Sequence, residues 1–254
     1  MAALEIELVP CLQDNYAYLV HDSGAGLTAI VDPSEPDPVR KALRARGWTL
    51  THILNTHHHF DHTGGNLALK EAFGAKVIGP AKDHDRIAGI DVGVDEQTGW
   101  TFGARQVRVL EIPAHTRAHI AFVIDDAAFT GDTLFSLGCG RLFEGTPAMM
   151  WSSLSKLMRL PDATRIFCGH EYTLNNGRFA LTLEPDNKDL VARVREVEAA
   201  RAKNLSTIPS TLALEKKTNP FLRPHSPAIR NALGLVQADD VEVFAEMRKR
   251  KDSF

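Results

Sequence analysis

The segment Thr56-His57-His58-His59-Phe60-Asp61-His62 limits what this chain can be more than any other feature. It packs four of the chain's 11 histidines beside a carboxylate. Imidazoles crowded this closely would repel one another on protonation, so a solvated polar loop explains them poorly. A cation is the physical reason to gather such donors. The run follows Thr51–Asn55, which reads as a strand. If the chain stays extended, His57, His59 and Asp61 face one side and His58 the other. His62 joins where Gly64-Gly65 breaks the extension and a helix over Gly64–Phe73 begins. Neutral imidazole and carboxylate suit zinc, iron or manganese, and the lack of a convergent thiolate disfavours a structural zinc site.

Adjacent Asp61 and His62 diverge, so the whole run serves two ions better than one. Further ligands are then expected at later strand ends. His115 follows an apolar run ending at Ile112, Asp132 follows Ala127–Phe129, and His170 follows Arg165–Cys168. Each stands near a Gly or Pro that permits a sharp turn. Alone, each is more often a turn residue or cap; beside the cluster, the ligand reading prevails. His119 is a candidate for fixing a ligand's tautomer. His52 and His58 are expected to face elsewhere, and His21, His84 and His225 to lie at the surface.

The rest of the sequence narrows the class. Net charge is 29 − 32 = −3, without the basic surplus or aromatic-interleaved basic stripe of a nucleic-acid binder. Cys11, Cys139 and Cys168 form no CxxC pair and read as small buried hydrophobes. The N-terminus has no basic and apolar leader, and no run of 18 apolar residues occurs, so a cytoplasmic enzyme without a membrane span is expected. No exposed apolar stripe is evident, and a monomer is expected.

Up to about residue 172 short strands alternate with helices. Leu4–Val9 alternates apolar and polar residues; Tyr16–Val20 and Leu27–Val31 form a hairpin across Ser23-Gly24-Ala25-Gly26; helices open at Asp37-Pro38 and Thr146-Pro147. After residue 172 the pattern is helical, over Asn187–Lys203 and Val241–Lys251, with 207–227 expected as loop and no further strand. The expected division is a catalytic domain over 1–172 and a helical domain over 173–254.

The residues Thr56–His62 with His115, Asp132 and His170 resemble the metallo-β-lactamase superfamily. Within it, Val9–Tyr16, Gly131–Phe135, Gly138–Arg141, Cys168–Tyr172, Thr218–Arg223 and the basic end Arg248–Lys251 are similar to the hydroxyacylglutathione hydrolases, or glyoxalase II family. The resemblance spans nearly the whole chain. It implies an α/β fold, an αββα sandwich with a smaller C-terminal helical domain. It also implies two divalent metal ions, zinc first and iron or manganese as alternatives. His57, His59 and His115 would hold one ion, Asp61, His62 and His170 the other, with Asp132 bridging; Asp61 and Asp132 then count as catalytic. The implied substrate is a glutathione thioester, bound through Arg141, Phe143, Tyr172, Arg248 and Lys251. Arg141 stands where the family often carries Lys, which keeps the charge and changes the donor geometry. Phe143 stands where it often carries Tyr, which removes a hydroxyl. Taken alone, the basic end is a solvated helix terminus that favours cations.

The chemistry follows from such a site. Water shared by two cations ionises near neutral pH and attacks the thioester carbonyl. The thiolate leaves without a strong general acid, because thiol pKa lies near about 8.5. No G-x-S-x-G elbow is present, so no serine nucleophile is expected. Two alternatives are a mononuclear-iron glutathione-persulfide dioxygenase of the same superfamily and a non-catalytic metal-binding module.

Overall fold

The computed structural model describes residues 3–254. Its chain divides into two compact units. Unit 1 comprises residues up to Glu111 with Ala118–Asp125 and Phe129–Gly131; unit 2 comprises Ile112–Arg117, Asp126–Ala128 and Asp132–Phe254.

Unit 1 contains β1 (Glu5–Cys11), β2 (Asn15–Asp22), β3 (Leu27–Val31), α1 (Pro36–Arg46), β4 (His52–Leu54), α2 (Phe60–Thr63), α3 (Asn66–Phe73), β5 (Lys76–Pro80) and β6 (Val92–Val94). The six strands form one sheet in sequence order. The expected hairpin is β2–β3, antiparallel with Tyr18 opposite Val31. From β3 onward the pairing is parallel, Val31 beside Leu54 and Leu54 beside Ile78, because α1 and α3 carry the chain back between strands. Pro at the start of α1 and Gly47 at its left-handed end set its limits. Leu19, Ile30, Val39, Leu43, Ile53, Leu69 and Val77 pack as one apolar core between sheet and helices. Strands β7 (Trp100–Phe102), β8 (Arg105–Glu111) and β9 (Ile120–Ile124) follow in antiparallel register. Strand β10 (Ala127–Gly131) has its last three residues in unit 1.

Unit 2 continues with β11 (Leu134–Phe135), β12 (Gly138–Cys139), α4 (Pro147–Leu157), β13 (Arg165–Cys168), α5 (Thr173–Leu183), α6 (Lys188–Arg201), β14 (Ser210–Thr211), α7 (Leu212–Thr218), α8 (Pro227–Leu233) and α9 (Asp240–Asp252). Among the described residues no helix is long and apolar enough to cross a membrane.

Three expectations need correction. The segment 207–227 is not loop: it holds β14, α7, a 3-10 turn at Pro220–Leu222 and the start of α8. Strand β14 pairs with β13, Arg165 opposite Thr211, so a strand does occur after residue 172. The buried face of α7 is Leu212, Glu215 and Thr218, whose polar members hide the helical period. Helix α5 is a further helix of this region, although its Asn-Asn-Gly at 175–177 has the composition of a turn. There a Cβ on Gly177 would lie 2.8 Å from Val194, so the glycine serves close packing of α5 on α6. Third, the histidine run does not stay extended to Asp61. Strand β4 ends at Leu54, the chain bends at Thr56 and His57, and Asp61 and His62 sit in the single turn of α2. Gly64-Gly65 is required by proximity rather than as a breaker: added Cβ atoms would meet Ser34 O at 2.6 Å and Pro33 O at 2.9 Å.

Candidate metal centre

The ligand residues fall into two sets, one in each unit. In unit 1, β4 delivers Asn55, Thr56 and His57 into buried positions. Asp32, at the end of β3 with φ 49°, organises them. Its carboxylate accepts the Thr56 N–H at 2.8 Å and the Thr56 hydroxyl at 2.7 Å, and lies 3.2 Å from His62 Nδ1. The Thr56 hydroxyl, having donated to Asp32, is an acceptor for His57 Nδ1 at 3.0 Å. These partners place the ring protons on Nδ1 of both histidines and turn each Nε2 lone pair toward the site. His57 Nε2 then lies 3.2 Å from His59 Nδ1, and His62 Nε2 lies 3.6 Å from Asp61 Oδ2. Asn15 donates to the Asp61 carboxylate and carbonyl, each at 3.1 Å. His119, nearly fully buried, stacks on His57 with centroids 4.5 Å apart. Gly131 must be glycine, since a Cβ there would lie 2.3 Å from Thr56 Oγ1 and 2.7 Å from His119.

In unit 2 the set converges on Asp132. Its Oδ2 lies 3.4 Å from His115 Nε2 and 3.2 Å from His170 Nε2, all three side chains being buried. His115 Nδ1 faces the Arg141 carbonyl at 2.9 Å, an atom that only accepts, so Nδ1 carries the proton. The Nε2 lone pair is therefore aimed at a carboxylate. Two acceptors aimed at each other call for a cation between them. The spacings agree: two ligands on one ion at zinc-like bond lengths lie about 3.3 Å apart. Gly140 passes so close that a Cβ would lie 1.8 Å from Asp132 O and 3.2 Å from His115 Nδ1. No cysteine belongs to the His and Asp groups whose ligand atoms converge among the described residues; burial pushes the thiols of Cys11 and Cys139 up to about 11 and that of Cys168 up to about 12.

The other expected site residues also lie in unit 2. Tyr172 stacks face to face on His170, and Phe135 meets Tyr172 edge-on at 5.4 Å. Phe143 is exposed and packs against the His115 ring at 5.1 Å. On α9, Arg248 is buried, donates to Cys139 O at 2.8 Å and pairs with Asp252 at 3.0 Å. Arg141 lies 3.9 Å from the same carboxylate. Burial, then the charges of Arg248 and Arg141, push Lys251 down to about 8. Three cations thus gather around Asp252, a cluster suited to an anionic ligand. His58 turns away to Asp83 at 3.1 Å, and His84 and His225 are exposed. His21 is only half-buried and stacks on Trp48. Sequence reasoning missed Asp32 and Asp252. Asp32-Pro33 just after a strand was the available signal for the first, and the i,i+4 spacing from Arg248 on the last helix was the signal for the second.

A family model described as the metallo-beta-lactamase superfamily matches residues 13–170, and one described as the hydroxyacylglutathione hydrolase C-terminus matches 171–254. A hydroxyacylglutathione hydrolase of Methylococcus capsulatus is 55% identical over 253 residues, covering 99% of each chain. The chain belongs to the hydroxyacylglutathione hydrolase family. As a member it is a metal-dependent hydrolase of the metallo-β-lactamase fold with a C-terminal helical region. The fold is shared with the crystal structure of ETHE1 from Myxococcus xanthus, at TM-score 0.67 and 24% identity over the full length of both chains. TTHA1623 in a di-iron-bound form is similar at TM-score 0.59 and 26% identity, covering 86% of this chain and 100% of that one. The hydroxyacylglutathione hydrolase assignment agrees with a carboxylate and histidines held for a divalent cation and with the basic cluster on α9.

Proposed function

We propose that this chain hydrolyses S-(2-hydroxyacyl)glutathione, with S-D-lactoylglutathione as the leading substrate, to glutathione and a 2-hydroxy acid. The observation that carries the reading is the Asp132 carboxylate with two histidine Nε2 atoms on one oxygen, in a chain of this family. His57, His59 and His115 would hold one divalent ion, Asp61, His62 and His170 the second, and Asp132 would bridge; zinc is the first choice, with iron or manganese as alternatives. When bound, the pair of ions supplies an acidified water and charge to stabilise a tetrahedral oxyanion.

The chain's own residues do the rest. Asp32 and the Arg141 carbonyl hold the imidazole tautomers. Arg141, Arg248 and Lys251 receive the glutathione carboxylates, Tyr172 contributes its hydroxyl, and Phe143 lies beside His115 as an apolar wall. In this reading 1–172 is the catalytic domain and 173–254 contributes to glutathione binding through Arg248 and Lys251. The departing thiolate needs no acid, and the neutral buried cysteines supply no nucleophile.

The test is hydrolysis of S-D-lactoylglutathione by purified protein, with metal analysis of the same sample. Rapid turnover with about two metals per chain is expected. One iron per chain with oxygen uptake on glutathione persulfide would replace the hydrolase reading with a dioxygenase.

A further inference from the structure

Asn219, in the motif Thr218–Arg223, and the buried carboxylate of Glu215 have no part in the chemistry above, yet both are committed to one turn. Glu215 is fully buried. Its Oε1 accepts the hydroxyls of Ser136 at 3.0 Å and Ser210 at 2.5 Å. Its Oε2 accepts the Leu137 N–H at 2.8 Å and the Asn219 amide at 3.1 Å. The same amide nitrogen lies 3.1 Å from Phe135 O and 2.9 Å from Gly138 O, bridging the two ends of the turn that joins β11 to β12. From α5, Asn176 donates to Ser136 O at 3.1 Å.

The turn needs such a clamp. Leu137 has φ 58°, a left-handed conformation that a branched L side chain disfavours. Its side chain is buried with Ala180, Leu190 and Val194 of α5 and α6. The segment so held begins with Asp132 and ends with Arg141. Its Phe135 ring lies 6.0 Å from His170 and 5.4 Å from Tyr172.

We propose that Glu215 and Asn219 are positioning residues: they hold the Phe135–Gly138 turn in its strained form and thereby place Arg141 and the Phe135–Tyr172 contact for glutathione binding. The proposal rests on the functional reading above. The clamp bonds fall on Phe135, Ser136, Leu137 and Gly138 and none on Asp132, so loosening the turn acts on binding more than on the chemical step. Glu215→Gln keeps the clamp, because Oε2 remains an acceptor for Leu137 and Asn219 while the new NH2 donates to two serine hydroxyls whose protons rotate. Asn219→Ser breaks it while retaining an oxygen to cap Phe221.

The experiment compares wild type, E215Q and N219S for kcat and KM on S-D-lactoylglutathione and for hydrogen exchange at the Leu137 amide. E215Q should stay within about threefold of wild type in KM. N219S should raise KM by about tenfold, with a smaller change in kcat, and should speed exchange at Leu137. A merely structural loss removes folded molecules, lowering the apparent kcat and leaving KM alone. N219S with an unchanged KM, or with unchanged exchange at Leu137, overturns the proposal. If wild type hydrolyses no glutathione thioester while N219S still speeds exchange at Leu137, the clamp stands and the substrate reading fails.

Discussion

The His170 imidazole and the Tyr172 phenol ring lie face to face, 4.7 Å between centroids and 4° from parallel. One residue between them separates a ligand of the proposed metal site from a proposed substrate contact. Tyr172→Phe keeps the stack and loses only the hydroxyl, so KM should rise roughly 2- to 10-fold, the worth of one hydrogen bond, at unchanged metal content. Tyr172→Ala should also loosen His170 and cost about tenfold in metal retention. Metal analysis and steady-state kinetics on both variants separate the two roles; metal loss in the Phe variant would contradict the division.

Asp32 touches no expected substrate atom, yet it governs two imidazoles, His62 directly and His57 through Thr56. Asp32→Asn puts an NH2 against the Thr56 hydroxyl and the His62 N–H, so donor meets donor. Metal affinity should fall about 10- to 100-fold, read as metal retained after dialysis against chelators of graded strength. Retention equal to wild type would reduce Asp32 to a structural role.

Lys251 gives a pH signature. Burial and the neighbouring Arg248 and Arg141 hold its ammonium at about 8, below the usual lysine range. The cationic form, which binds a carboxylate, is present below that value and lost as pH rises through it. With the free-enzyme pKa visible in kcat/KM, that quantity should decline above pH 8, through KM. In Lys251→Met the decline should disappear and KM should be high at every pH. A wild-type KM flat from pH 7 to 9.5 would remove Lys251 from carboxylate binding.

Arg248 should show two effects at once. Arg248→Ala should raise KM for the glutathione thioester with a smaller change in kcat. It also strips the Cys139 carbonyl of its donor and Asp252 of a partner. Because Asp252 is half-exposed, the hydrogen bonds dominate this loss, about 1–3 kcal/mol, or a Tm lower by roughly 3–10 °C. Thermal unfolding alongside kinetics tests both; a variant that only melts earlier, with KM unchanged, would make Arg248 structural.

The amino-acid sequence by itself determined the chemical character of the site and most of its elements. A histidine run beside a carboxylate supplies a set of donors suited to a cation, and apolar runs ending in Gly or Pro marked His115, Asp132 and His170 as residues at strand ends. Strands, capped helices and the hairpin at Ser23–Gly26 are written in local periodicity, which short-range sterics enforce. Tertiary structure decided what local pattern cannot encode. Helix α7 hides because its buried face includes Glu215 and Thr218, satisfied by partners distant in sequence. Helix α5 carries a turn-like Asn-Asn-Gly because α6 must approach Gly177. The tautomers of His62 and His115 depend on Asp32 and the Arg141 carbonyl, 30 and 26 residues away. The depressed Lys251 arises only when burial and two arginines surround it. Long-range hydrogen bonds and burial set these properties, and both exist only once the chain has folded.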